Sequence, residues 1–203
     1  MIESTRRPGR PSEAADPKPR IIRGVVDLVA ARGLHGWSMR DLAAEVGLST
    51  GTINYHFRNR RQLLLDAMDS VYVLPVDWQR YERLPVRARL TRMARIFVLD
   101  GEGLRRWWKF WLAYMSAADI DEELRTRHEA RYSRQRRFFA RLLAAGREDG
   151  ELAFAGTPDE AAERLLAFGN GVAVQQLATP NEFGPVQARR AIEAYLESFW
   201  RND

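Results

Sequence analysis

Residues 38–64 read SMRDLAAEVGLSTGTINYHFRNRRQLL, and the reading of this stretch decides the fold. Ser38-Met39-Arg40-Asp41 has the form of a capping box, in which the serine and the acidic residue three positions on bond each other's backbone amides. Leu42, Ala43 and Val46 then lie on one face of a short helix, which Gly47 breaks. A second helix runs from Thr50 to Phe57, with Ile53 and Phe57 four apart on one side. Two short helices joined through a glycine turn, with further helices before and after, make a helix-turn-helix. The second helix is too polar to be core alone.

Upstream, Ile21, Ile22, Val25, Val26, Leu28 and Val29 form the apolar stripe of a helix that starts near Arg20 and stops at Gly33. Residues 1–19 are rich in Pro and Arg and poor in apolar side chains, which predicts a flexible basic arm. Within it Arg6-Arg7-Pro8-Gly9-Arg10-Pro11 suits either a narrow A·T-rich minor groove or a solvated tail. Downstream, Asn59-Arg60-Arg61-Gln62 caps a helix from Leu63 to about Leu74, ahead of Pro75. Five more helices are predicted at about 85–99, 103–117, 119–146, 158–178 and 185–201. Thr157-Pro158-Asp159-Glu160 is the strongest start signal among them. No stretch alternates apolar and polar residues for the length of a strand. The expectation is an all-α protein of about nine helices: a three-helix helix-turn-helix domain over 20–65, and a larger ligand-sensing and dimerising domain over 66–203.

Composition bounds the function. The 203 residues carry a net charge of +5 and are 45% hydrophobic, with nine Phe and six Trp, enough for a substantial core. The mild basic excess favours an anionic partner, but it is spread over both halves, so placement must carry the argument. With no Cys, disulfides, thiolate metal sites and Cys nucleophiles are excluded, which suits a reducing compartment. No secretory h-region or membrane-length apolar run is present, and a soluble, cytoplasmic protein without a membrane partner is expected.

Ser49, Thr50, Thr52, Asn54, Tyr55 and His56 present donors and acceptors at the start and along the exposed side of the second helix. That is where a recognition helix meets base edges and phosphates in the major groove of duplex DNA. Gly51 permits close backbone approach. Arg40, Arg58, Arg60 and Arg61 are placed to reach phosphates, although a residue placed like Arg61 is more often a solvated surface charge than a phosphate ligand. The stretch Ile21 to Leu65 resembles the N-terminal domain of the TetR family of bacterial regulators, most specifically in "GLSTGTINYHFRNRRQLL". The resemblance implies base contacts at Thr50, Gly51 and Thr52, phosphate contacts at Tyr55, His56 and Arg60, and a base or phosphate contact at Arg40. Asn54 departs from the Tyr more usual there.

In helix 103–117, Trp107, Trp111, Tyr114 and Met115 recur as an inward stripe. Helix 119–146 turns Leu124, His128, Tyr132, Gln135, Phe139 and Leu142 inward, a face that is polar at its middle. Apolar walls with a few converging polar groups suit a small-molecule pocket, although an ordinary core with a satisfied His fits as well. The region from Trp107 through "TPDEAAERLLAFGNGVAVQQLA" resembles the BetI-like branch of the same family, which includes a choline-responsive repressor. A hydrophobic aromatic or an organic cation held by cation–π attraction is therefore the expected effector. Arg127, Arg131, Arg134, Arg137 and Arg141 read as a solvated, salt-bridged face.

Helix 158–178 is apolar over nearly half its circumference, one strip being Ala161, Leu165, Phe168, Val172 and Gln176. The adjacent strip, Ala162, Leu166, Gly169, Ala173 and Leu177, together with Ile192, Tyr195 and Phe199 of the last helix, is assigned to a four-helix homodimer interface. An enzyme is the competing class. His128-Glu129-Ala130-Arg131-Tyr132 starts like a zinc-protease helix but lacks the second His, so neither a metal site nor any cofactor is expected. Gly169-Asn170-Gly171 follows no strand and is no dinucleotide loop. The expected function is a repressor released from a near-palindromic operator by a small-molecule effector; a ligand-independent regulator or an all-helical enzyme are the alternatives.

Overall fold

The computed structural model describes residues 16–71 and 83–200. The arm motif at Arg6–Pro11 and the helix end expected near Leu74 lie outside these residues. Nine α-helices are present among the described residues: α1 Lys18–Arg32, α2 Met39–Val46, α3 Thr50–His56, α4 Arg60–Val71, α5 Val86–Ala94, α6 Glu102–Ala118, α7 Glu122–Glu148, α8 Pro158–Ala178 and α9 Pro185–Glu197, with a 3-10 turn at Arg95–Phe97 after α5. The only β pairing among them is an isolated antiparallel bridge between Leu152 and Trp200.

Local chemistry sets the helix ends. Ser38 Oγ accepts from the Asp41 amide while Asp41 accepts from the Ser38 amide, closing the capping box. Gly47 sits at φ 58°, ψ 41°, left-handed backbone that other residues rarely adopt, and its amide returns to α2 carbonyls. This turn sets α3 across α2. Asn59 Oδ1 accepts from the Gln62 amide at 2.8 Å, so α4 begins at Arg60, three residues earlier than the apolar pattern indicated. The reciprocal cap between Thr157 and Glu160 forms as expected.

Two apolar cores result. The N-terminal core gathers Ile21, Val25, Leu42, Ile53, Leu63 and Leu65, all essentially unexposed, and also draws in Phe110, Tyr114 and Ala118 of α6 and Leu124 of α7. The unit expected over 20–65 therefore shares its core with the sensing helices. Burying each such aliphatic or aromatic side chain contributes roughly 1.5–3 kcal/mol. The second core is built from α5, the 3-10 turn, α6, α7, α8 and α9 around Phe97, Trp108, Phe139, Leu165 and Leu166. Gln176 is wholly buried there but fully used: its Oε1 accepts from the Leu99 amide and its Nε2 donates to the Phe97 and Val172 carbonyls, each within 3.0 Å.

This second core buries most of the residues assigned to the dimer interface within a single chain. Ala162, Leu166 and Ala173 are unexposed within one chain, Gly169 is buried, and Ile192 and Phe199 are nearly so. A Cβ at Gly169 would come within 2.5 Å of the Phe97 ring, so the glycine serves close packing inside the protomer. Leu177 and Tyr195 are half-buried, and Tyr195 stacks on Phe168 at 4.2 Å. Both apolar strips of α8 face one chain's core, because α7 and α9 flank it on two sides. The side left exposed carries Arg164, Ala167, Gly171, Gln175 and Ala178, with Val174 half-buried beside them.

Candidate DNA-reading face and effector site

Of the seven residues of α3, only Ile53 is buried, and Phe57 immediately after it completes the contact with the core. Thr50, Gly51, Asn54 and Tyr55 are exposed, while Thr52 and His56 are half-buried. Tyr55 is 85% exposed, an unusual setting for an aromatic ring, and meets His56 edge-on at 5.1 Å. A Cβ at Gly51 would meet only Ser49 Oγ, at 3.6 Å, so nothing within the chain requires a glycine there. Ser49 is the helix cap: its Oγ accepts from the Thr52 amide at 3.0 Å and lies 2.8 Å from Thr52 Oγ1. The two hydroxyls form one unit at the start of the helix. Arg40 is exposed on the first turn of α2.

The two arginines of α4 are placed otherwise than their sequence positions suggested. Arg60 turns back toward the corner between α1 and α2: its Cζ lies 4.3 Å from the Trp37 ring centroid and its Nη2 donates to the Leu34 carbonyl. Its guanidinium is thus engaged with the head, where it braces the corner. Arg61 is neither a phosphate-facing nor a solitary surface charge. It bridges to Asp121 at 2.6 Å and Glu123 at 2.7 Å, and these carboxylates, the Glu123 hydrogen bond foremost, raise its already high pKa.

The candidate effector residues are spread more widely than one stripe. Rings run from Trp107 to Trp108 at 5.2 Å, to Trp111 at 4.9 Å, to His128 at 6.1 Å and on to Tyr132 at 6.5 Å. Gln135 is buried one turn further along α7. Tyr114 stands apart: it is unexposed in the N-terminal core, and its hydroxyl donates to the Leu124 carbonyl at 3.0 Å. Burial pushes its pKa up to about 12, so it is a structural phenol. Met115 is half-buried.

Arg131 is the residue that sequence reasoning misplaced. Assigned to a solvated row, it is only 4% exposed; its Cζ lies 5.9 Å from the Trp107 ring centroid and its Nη1 donates to Met68 Sδ of α4. The spacing 124, 128, 131, 135, 139, 142 follows the inward stripe of α7 more closely than a path through Tyr132, so helical periodicity alone could have found it. Burial, and then the neighbouring Arg131, lowers the His128 pKa from 6.5 to about 4, keeping the imidazole neutral. His128 Nδ1 and Gln135 Nε2 are buried without hydrogen-bond partners among the described residues. Unsatisfied donors and acceptors of this kind are rare in folded proteins and mark places where a ligand can complete the bonding.

The two sites are joined through α4. Arg127 of α7 pairs with Asp69 at 2.6 Å, Arg131 reaches Met68, and Arg61 holds Asp121 and Glu123. On the other side, Arg106 of α6 pairs with Asp27 of α1 at 3.2 Å. The helix that follows the recognition helix is thus fastened along the first half of the helix that carries His128 and Arg131. No described helix is long and apolar enough to cross a membrane.

Comparison with known proteins accords with this arrangement. Residues 21–67 match the model for the bacterial regulatory proteins of the tetR family, and residues 86–201 match the BetI-type transcriptional repressor C-terminal model. A BetI transcriptional regulator of Vibrio vulnificus is 27% identical over 89% of this chain and 90% of its own length. The regulator PksA of Bacillus subtilis is 27% identical over 92% and 91%. A solved regulator from Saccharomonospora viridis, in complex with choline, superposes with a TM-score of 0.82 at 25% identity, covering 93% of this chain and all of that one. The helix-turn-helix at one end and the BetI-type helical domain at the other place this chain in the tetR family of bacterial transcriptional regulators.

Proposed function

We propose that the chain is a homodimeric repressor that reads a near-palindromic operator through α3 and releases it when a small molecule binds between α6 and α7. The observation that carries this reading is the exposure of α3: it commits one of its seven side chains to the core and leaves the Tyr55 ring 85% exposed, a setting that suits contact with an external partner. Thr50, Gly51, Thr52 and Asn54 then meet base edges, and Tyr55, His56 and Arg40 meet phosphates. The effector residues are Trp107, Trp111, Met115, His128, Tyr132 and Gln135, with Arg131 added and Tyr114 removed from the set expected from sequence. The choline found in the Saccharomonospora viridis regulator supports a small organic effector in this fold.

Dimerisation falls to the exposed side of α8, along Ala167, Gly171, Val174 and Ala178, because a Cβ at Gly171 meets nothing within 4 Å of its own chain. Small side chains there allow a second copy's helix to approach closely, and α9 completes a four-helix bundle across a two-fold axis. The effector acts by linkage: it lowers operator affinity only by binding more tightly to a conformation whose two recognition helices are wrongly spaced for successive major grooves. Selection from random duplexes tests the reading. An enriched two-fold symmetric site, bound with a steep salt dependence, is expected. Enrichment of nothing, with binding indifferent to salt, overturns it.

A further inference from the structure

The arginines in the second half of α7 divide into two groups. Residues 130–146 hold five arginines and no carboxylate, so the adjoining turns of the helix supply nothing to pair with them. Arg131 turns into the protein, and Arg136 crosses to Asp159 and Glu163 of α8 at 3.0 and 3.1 Å. Arg137 and Arg141 are exposed and one turn apart, and they form no ion pair among the described residues. Arg89 of α5, half-buried beside them, forms none either.

These three side chains line two hollows of about 290 and 270 Å³, which meet at Arg141. The floor between them is apolar and shallow, made by Leu142 and Ala145 on one side and by Ala140 and Ala144 on the other. Asp159 is the one carboxylate among the described lining residues, and Arg136 already neutralises it. Three arginines around an apolar floor are complementary to a surface that is acidic and apolar at once. Arg137 and Arg141 stand at i and i+4, as do Ala140 and Ala144. A second helix presents carboxylates along one edge of an apolar seam at that same spacing, and small side chains in the floor let its axis come close. Duplex DNA fits less well, because its phosphates match the arginines but nothing in it uses the alanine floor. Asp121, at the start of α7, is clasped by Arg61 next to the reading head. Arg137 and Arg141 follow about 24–30 Å further along the helix, at about 1.5 Å per residue. An operator held by α3 therefore leaves this groove open.

We infer that the groove docks an acidic, amphipathic helix of a protein partner, and that it does so while the operator stays bound.

The test uses the full chain and a fluorescein-labelled peptide of about five helical turns, long enough to hold a helix, with Glu at every fourth position beside a seam of Leu and Ala. Its companions are a scrambled peptide of the same composition, the Lys-for-Glu peptide, a duplex lacking the operator, and phosphatidylglycerol vesicles. Fluorescence anisotropy follows binding. The acidic peptide is expected to bind at least about tenfold more tightly than its scrambled isomer, to weaken with salt, and to stay bound when operator duplex saturates the protein. Arg141→Glu should cut its affinity at least about fivefold, and Arg137→Glu together with Arg141→Glu should turn the preference to the Lys peptide. Ala144→Gln, which fills the floor without altering charge, should also weaken it. Arg125→Glu, an equal charge change on the same helix outside the groove, should not. Equal affinity for the peptide and its scrambled isomer, or for Arg141→Glu and the unaltered protein, overturns the inference. Release of the peptide by operator overturns it too, by placing the peptide on the reading head. Displacement of the peptide by the non-operator duplex or by the vesicles overturns it in favour of nucleic acid or a lipid surface.

Discussion

Arg61 and Asp121 stand 2.6 Å apart, joining the first turn of α4 to the cap of α7. Asp121 also caps its own helix, accepting from the Glu123 and Leu124 amides. One carboxylate therefore holds the sensing helix closed at its start and ties it to the element that bears the reading head.

That double role separates two substitutions. Asp121→Ala should lower stability by about 1 kcal/mol through loss of the cap and should also weaken the coupling between effector and operator. Arg61→Ala leaves the cap intact, and because the Arg61 side chain is 49% exposed it should scarcely move the melting temperature, while the fold-change in operator affinity caused by a saturating effector becomes smaller. Thermal melts and operator titrations with and without effector check both. Equal coupling in Arg61→Ala and the unaltered protein would show that the linkage runs through Arg127–Asp69 or Arg106–Asp27 instead.

Tyr55→Ala removes a ring that is 85% exposed and touches the neighbouring His56 ring edge-on, so stability should stay within about 0.5 kcal/mol while affinity for specific and non-specific DNA falls together. Asn54→Ala, at an equally exposed position, should instead alter preference at one or two base pairs, worth roughly 1–3 kcal/mol for a well-made contact. Binding-site selection with both variants is the check, and identical specificity profiles would erase the division into backbone and base roles.

Gly169 and Gly171, two residues apart on α8, should respond oppositely. Gly169→Ala forces a Cβ against the Phe97 ring and should destabilise each protomer by about 1–3 kcal/mol. Gly171→Leu points into open space, and should leave helix content and monomer stability intact while weakening self-association. Sedimentation combined with thermal unfolding distinguishes them; an unaltered dimer in Gly171→Leu would move the interface off this side of α8.

The neutral His128 predicts acid sensitivity. Its pKa falls from 6.5 to about 4 on folding, so between those values the unfolded chain binds the additional proton and stability declines as pH falls. The loss should be complete below about pH 4 and absent above about pH 7, on the order of 1 kcal/mol once partial exposure is allowed for. His128→Gln should flatten this component of the melting profile.

The sequence by itself determined the helices and the helix-turn-helix. These rest on local chemistry: the Ser38–Asp41 box, the left-handed Gly47, the Asn59 and Thr157 caps, and an apolar period that left Tyr55 outside the core. Tertiary structure alone decided that both apolar strips of α8 face their own chain, since a helix flanked by α7 and α9 shows the same sequence pattern as one that buries a side against a second copy. It alone decided that Arg60 braces Trp37 and that Arg61 clasps Asp121, contacts spanning 23 and 60 residues of chain whose partners no local spacing reveals. Arg131 lies between these cases. Its position on the stripe was legible, but its burial was not, because a charged side chain leaves water only where the fold supplies the surface to receive it, here Trp107 and Met68.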